Sequence, residues 1–152
     1  MSARDLTLDL ASTDHGHRRH FTVIQANRAL VLVRRVVADI IIEYQRMLDL
    51  QEIVESASSN GKADCVDRCR NALIETVDKL RQCLDELGDV GVELRDWGLG
   101  VVDFPAIAGG REVFLCWQFG EPRVMYWHEI SAGDAGRQPL DTLPVAKAVA
   151  AS

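Results

Sequence analysis

Residues 66–95, VDRCRNALIETVDKLRQCLDELGDVGVELR, contain the change of period that decides the fold. Val66, Cys69, Leu73, Val77, Leu80, Leu84 and Leu87 step by three or four and so form one stripe of a helix. Asp64, Asp67, Arg70, Glu75, Lys79, Arg81 and Asp85 fill the other faces. Past Gly88, a residue suited to the left-handed position just beyond a helix end, the spacing drops to two. Val92-Glu93-Leu94-Arg95 alternates as a half-buried strand does.

Upstream, Ser56-Ala57-Ser58-Ser59-Asn60-Gly61 reads as a turn. Before it, Ala26, Leu30, Val33, Val37, Ile40, Tyr44, Met47 and Val54 mark the face of another long helix. Thr22 and Gln25 have the spacing of a capping box, in which each side chain satisfies the other's backbone N–H. Two long helices joined by a short loop predict an antiparallel hairpin. Leu32, Val36, Ile41 and Ile42 widen the first helix's apolar stripe beyond a two-helix seam. Over residues 30–42 that width predicts burial in a homodimer.

Downstream, Trp97-Gly98 punctuates the chain, Leu99–Phe104 reads as a strand stopped by Pro105, and Gly109-Gly110 is a turn. Arg111–Phe119 and Arg123–Ile130 read as a hairpin joined by Gly120-Glu121-Pro122, with Glu121 exposed at its tip. The expected class is therefore α+β: a long antiparallel two-helix hairpin followed by a small antiparallel sheet of three or four strands. The expected organisation is a flexible arm over 1–20 and a single domain over 21–140. Within the domain the hairpin spans 22–88, the sheet 91–130 and an irregular loop 131–140, and a frayed tail runs over 141–152.

The chain has 152 residues, 47% hydrophobic and 26% charged, with a net charge of −6. That composition is one globular domain's. The acidic balance argues against nucleic acid, which needs clustered Lys and Arg. No apolar run is long enough to span a membrane. The first twenty residues carry charges throughout and lack the apolar core of a secretory signal, so a cytoplasmic location is expected. Cys65, Cys69, Cys83 and Cys116 form no Cys-x-x-Cys pair and read as reduced, buried small residues. His15, His17 and His20 all fall in the arm.

A three-residue loop after Phe119 gives the last hairpin cross-strand partners whose numbers sum to 242. Trp117 then faces Met125, Leu115 faces Trp127, Cys116 faces Tyr126 and Phe114 faces His128. One face, Val113, Leu115, Trp117, Phe119, Met125 and Trp127, is apolar enough to lie on the helices. The other carries Phe114, Cys116, Gln118, Tyr126 and His128.

His128 is the one histidine of the expected folded body and the first candidate for proton transfer at neutral pH. Glu129 points to the opposite face, so the pair is not the His-Glu-x-x-His of a metalloprotease helix. A metal at His128 needs Cys116, Asp103 or Glu121 to converge on it, and such mixed ligation suits zinc or iron. Cys116 beside His128 would also follow thiolate–imidazole logic. Arg111 and Arg137 are candidate anion ligands, Arg137 in the loop Gly133-Asp134-Ala135-Gly136-Arg137. Their bland role is an ion pair, Arg137 with Asp103, Glu121 or Glu129, that pins the tail to the sheet. No Walker loop or dinucleotide fingerprint is present.

In order, the C-terminal half reads Gly100-Val101-Val102-Asp103-Phe104-Pro105, Gly110-Arg111, Leu115-Cys116-Trp117, Gly120-Glu121-Pro122, Trp127-His128-Glu129 and Gly133-Asp134-Ala135-Gly136-Arg137-Gln138-Pro139-Leu140. With Phe21-Thr22 and Ala26-Asn27-Arg28-Ala29-Leu30, this resembles a family of small bacterial proteins of unknown function, DUF2203, over roughly residues 20–140. The resemblance implies a helical hairpin plus a small sheet in a cytosolic protein, and it transfers no catalytic residue. The expectation is a homodimeric binding protein with a small-anion or divalent-metal pocket in the C-terminal sheet. The alternatives are a small enzyme with His128 as general acid/base and Arg137 as anion clamp, and a scaffold that docks a partner on its helical hairpin.

Overall fold

The computed structural model describes residues 19–59 and 63–144. Helix α1 spans Val23–Ser59 and helix α2 Ala63–Val90, packed as the expected hairpin. At 1.5 Å per residue α1 is about 55 Å long. Its capping box forms as read: the Thr22 N–H donates to Gln25 Oε1 at 2.9 Å, and the Gln25 N–H to Thr22 Oγ1 at 3.1 Å. The helix continues to Ser59, so most of the expected Ser56–Gly61 turn is helical.

Gly88 does not end α2. The helix runs to Val90, and Gly91, at φ +100°, is the left-handed residue. The N–H groups of Gly91 and Val92 both donate to the Leu87 carbonyl, at 2.9 and 3.1 Å. A side chain at Gly88 would meet nothing within 4 Å, whereas a Cβ at Gly91 would lie 3.2 Å from Arg19 Cβ. The two glycines should therefore respond oppositely in urea unfolding. Gly88→Ala is expected to stabilise by about 0.5–1 kcal/mol by removing backbone freedom. Gly91→Ala is expected to cost about 1–2 kcal/mol in left-handed strain.

Strands β1 (Glu93–Asp96), β2 (Val101–Ala108), β3 (Arg111–Gln118), β4 (Tyr126–Glu129) and β5 (Gln138–Pro139) form one antiparallel sheet in sequential order. Gly109 and Gly110, at φ +59° and +78°, make the two-residue β2–β3 turn and supply the positive pair that a type I′ hairpin requires. Pro105 does not stop β2. Its carbonyl accepts from the Phe21 N–H at 2.7 Å, on the side away from β3, and β1 pairs with β2 no further than Asp103. The donor that proline lacks thus falls where no strand asks for it.

The β3–β4 register is the expected one: Phe114 with His128, Leu115 with Trp127, Cys116 with Tyr126. The Trp117–Met125 and Phe119–Arg123 pairs do not form, because the chain leaves the sheet after Gln118 and rejoins it only at Tyr126. Backbone groups of that loop go to α1 instead. The Val124 N–H donates to Asn27 Oδ1 at 2.8 Å, and Arg34 donates to the Pro122 carbonyl at 2.8 Å. Nor is the segment after Ser131 irregular throughout. It supplies β5, and Trp127 Nε1 donates to Thr142 Oγ1 at 2.9 Å.

The core lies between α1, α2 and one sheet face. Val102, Phe104, Ala106, Val113, Leu115, Trp117 and Trp127 cluster with Leu30, Val33, Val37 and Ile40. The sheet and α2 thus cover Leu30, Val33, Val36, Val37 and Ile40 within one chain, leaving Val31, Leu32 and Ile42 exposed. Most of the 30–42 stripe is therefore core of a single chain, and its width does not by itself call for a second copy. Among the described residues no helix is long and apolar enough to cross a membrane.

Cys69 and Cys83 are half-buried, and Cys116 is fully buried. Burial and the carboxylates of Asp39, Glu86 and Glu43 push the Cys83 thiol from 9.0 to about 11. Two units lower the thiolate fraction at pH 8 by about a hundredfold. Cys83 is therefore expected to react about tenfold more slowly with a disulfide reagent than an unhindered thiol, because its more basic thiolate is the stronger nucleophile and recovers part of the loss. Comparison with Cys83→Ser isolates its phase, and denaturation should abolish the difference.

Candidate metal centre

The sheet face turned away from the helices holds the chemistry. Antiparallel pairing sets Asp103 of β2 opposite Cys116 of β3, and Cys116 opposite Tyr126 of β4. The next row on the same face is Pro105, Phe114 and His128. His128 leans diagonally over β3, and its Nε2 lies 3.0 Å from Asp103 Oδ1. Its Nδ1 lies 2.8 Å from the Glu129 carbonyl oxygen. A carbonyl only accepts, so Nδ1 carries a hydrogen and Nε2 is the atom presented to the cluster.

Asp103, Cys116 and His128 are all buried, and one ligand atom from each lies within 4.8 Å of the others. Asp103 and His128 each have a further partner that orients them. Asp103 Oδ2 accepts from Arg95 Nε at 2.7 Å. Arg95 also donates to Glu93 Oε2 at 2.8 Å, and its guanidinium lies 4.8 Å over the Phe114 ring. Arg137 donates to Glu121 Oε1 at 2.6 Å and lies 4.2 Å over the Tyr126 ring. Burial, helped by the Asp103 carboxylate, pushes the Cys116 thiol up to about 12, while Arg137 acts in the opposite sense. Arg137 Nε is shut off from solvent without an acceptor in hydrogen-bonding geometry.

The structure brings Asp103, Cys116 and His128 together and sets Arg137 and Glu121 beside them. Glu121 is half-buried rather than exposed at a turn tip, and its Oε1 also accepts from the Gln118 N–H at 2.7 Å. Arg111 and Glu129 do not join the cluster. They pair with each other, and the Val113–Glu129 register places them on the opposite sheet face. Of the arm histidines, His20 contacts Glu112 at 2.8 Å, while His15 and His17 lie outside the described residues. Arg95 was missed by sequence reasoning. The signal was available in the alternation Glu93-x-Arg95, which puts both on the Asp103 face once β1 and β2 pair.

A family model described as "Uncharacterized conserved protein (DUF2203)" matches residues 19–140. The chain belongs to the DUF2203 family. The DUF2203 match takes in both helices, all five strands and every side chain of the cluster. No curated protein and no solved structure matches the chain.

Proposed function

We propose that this protein binds a divalent transition metal of the zinc type through Asp103, Cys116 and His128. The carrying observation is the convergence of three buried donors from three adjacent strands within 4.8 Å of one another. Their chemistry fits: a mixed oxygen, sulfur and nitrogen set suits zinc or iron. The outer partners fit as well. A ligating histidine usually gives its other N–H to a carbonyl or carboxylate, as His128 gives Nδ1–H to Glu129. Arg95 fixes the second Asp103 oxygen, and a thiolate at Cys116 would offer Arg137 an acceptor. Three protein ligands leave a coordination position open, and a metal there supplies Lewis-acid chemistry. Thiols at Cys83 and Cys116 that form no disulfide suit a reducing, cytoplasmic compartment.

One observation favours a second reading, a small-anion site. Two guanidiniums, Arg95 and Arg137, flank the cluster, and a ligand carboxylate or phosphate in place of Glu121 would be clamped by Arg137. In an enzyme of that kind His128 would be the general acid/base. Cobalt titration of chelator-stripped protein separates the two. The metal reading predicts saturation at one ion per chain, with a thiolate-to-cobalt charge-transfer absorption that Cys116→Ser abolishes. Absence of that absorption, together with thermal stabilisation by phosphate that Arg137→Ala removes, would favour the anion reading.

A further inference from the structure

We infer that two copies of this chain pair through the solvent face of α1, antiparallel about a two-fold axis near Ala38. The inference rests on a surface separate from the metal cluster, and neither depends on the other. Ile24, Val31, Ile42 and Ile53 are 67%, 70%, 63% and 44% exposed. Their spacings, seven, eleven and eleven residues, each return to within about 20° of one direction at 100° per residue. Val33 and Val37, which bury against the sheet and α2, lie about 180° round the same helix. The β-branched residues thus form a second stripe that the described residues leave uncovered.

Charge along α1 selects a second, antiparallel copy as the occupant. Residues 23–38 carry Arg28, Arg34 and Arg35 and no acid, whereas residues 39–59 carry Asp39, Glu43, Asp49, Glu52 and Glu55 against Arg46 alone. A two-fold axis between residues 38 and 39 pairs positions whose numbers sum to 77. Ile24 then meets the partner's Ile53, and Arg28 meets the partner's Asp49. Val31 meets the partner's Arg46 and Arg35 the partner's Ile42, so a long arginine stem covers each of these apolar side chains. Ala38 allows close approach at the axis. Arg35, one turn before Asp39, offsets the two Asp39 carboxylates near it. An isologous pairing of this kind closes at two subunits.

Sedimentation of the full chain across micromolar concentrations tests this directly. The wild type is expected to dimerise. Val31→Glu with Ile42→Glu is expected to give a monomer with an unchanged far-UV spectrum, because both side chains are exposed. Arg28→Asp or Asp49→Arg alone should weaken the dimer by about tenfold or more, through like charges across the axis. Combining them should restore the wild-type constant. A wild type that stays monomeric, or a dimer indifferent to the Val31/Ile42 pair and to both reversals, would overturn the inference.

Discussion

Asp103→Ala is expected to lower the unfolding free energy by about 1–3 kcal/mol, the usual cost of leaving a buried polar group without its partner. Asp103 is wholly buried and accepts from Arg95 and engages His128 at once. Arg95 is partly exposed and retains Glu93 as a partner. His128 has no such escape, because its side chain is only 2% exposed and its Nε2 would face a cavity. The penalty therefore comes mainly from an unsatisfied buried ring nitrogen. Asp103→Val combined with His128→Phe removes both polar groups and should recover most of the loss. Urea unfolding of the single and double variants checks this. Additive losses would show that the two side chains do not act as a unit.

Gly100→Ala is expected to cost about 2–5 kcal/mol, from two separable causes. Gly100 sits at φ +74°, where a Cβ adds about 1–2 kcal/mol of strain. That Cβ would also lie 2.7 Å from Ile41 Cδ1, 2.8 Å from Val37 Cγ1 and 3.0 Å from Phe119 Cβ. Overpacking of this kind typically costs about 1–3 kcal/mol. Gly100 cannot easily shift, since its N–H donates to the Asp96 carbonyl and its own carbonyl accepts from Phe119, both at 3.0 Å. Gly110→Ala provides the control. Its φ is +78°, but a Cβ there meets nothing within 4 Å, so only the strain should appear. Thermal denaturation of both variants is the measurement, and equal shifts would show that the contact with α1 is looser than described.

Those two sites illustrate what was legible in the sequence. Local chemistry was readable: Thr22 and Gln25 cap α1, and the sum of 242 correctly set His128 beside Phe114 and Cys116 beside Tyr126. Positions decided by the surroundings were not. Gly88 and Gly91 are both plausible helix ends by composition, and only the place where the chain must turn past Arg19 distinguishes them. Pro105 is a strand breaker by rule, yet it lies where β1 has ended and its missing donor is not needed. The return of the tail as β5, and with it the place of Arg137, depends on contacts such as Trp127 with Thr142 that no local pattern announces. Asp103 and Cys116 were named as partners that His128 would need for a metal. Their convergence depends on the β2–β3 register, which the expectation that Pro105 ends the strand had cut short.

Native mass spectrometry of full-length protein purified without chelator and exposed to zinc tests the metal centre most directly. One ion retained per chain is predicted. It should be lost in His128→Ala and Cys116→Ala, with folding of each variant verified by circular dichroism. Arg111→Ala, on the opposite face of the sheet, should leave it in place. A wild-type chain that carries no ion after incubation with zinc, or one whose bound zinc persists in both ligand variants, would contradict the assignment.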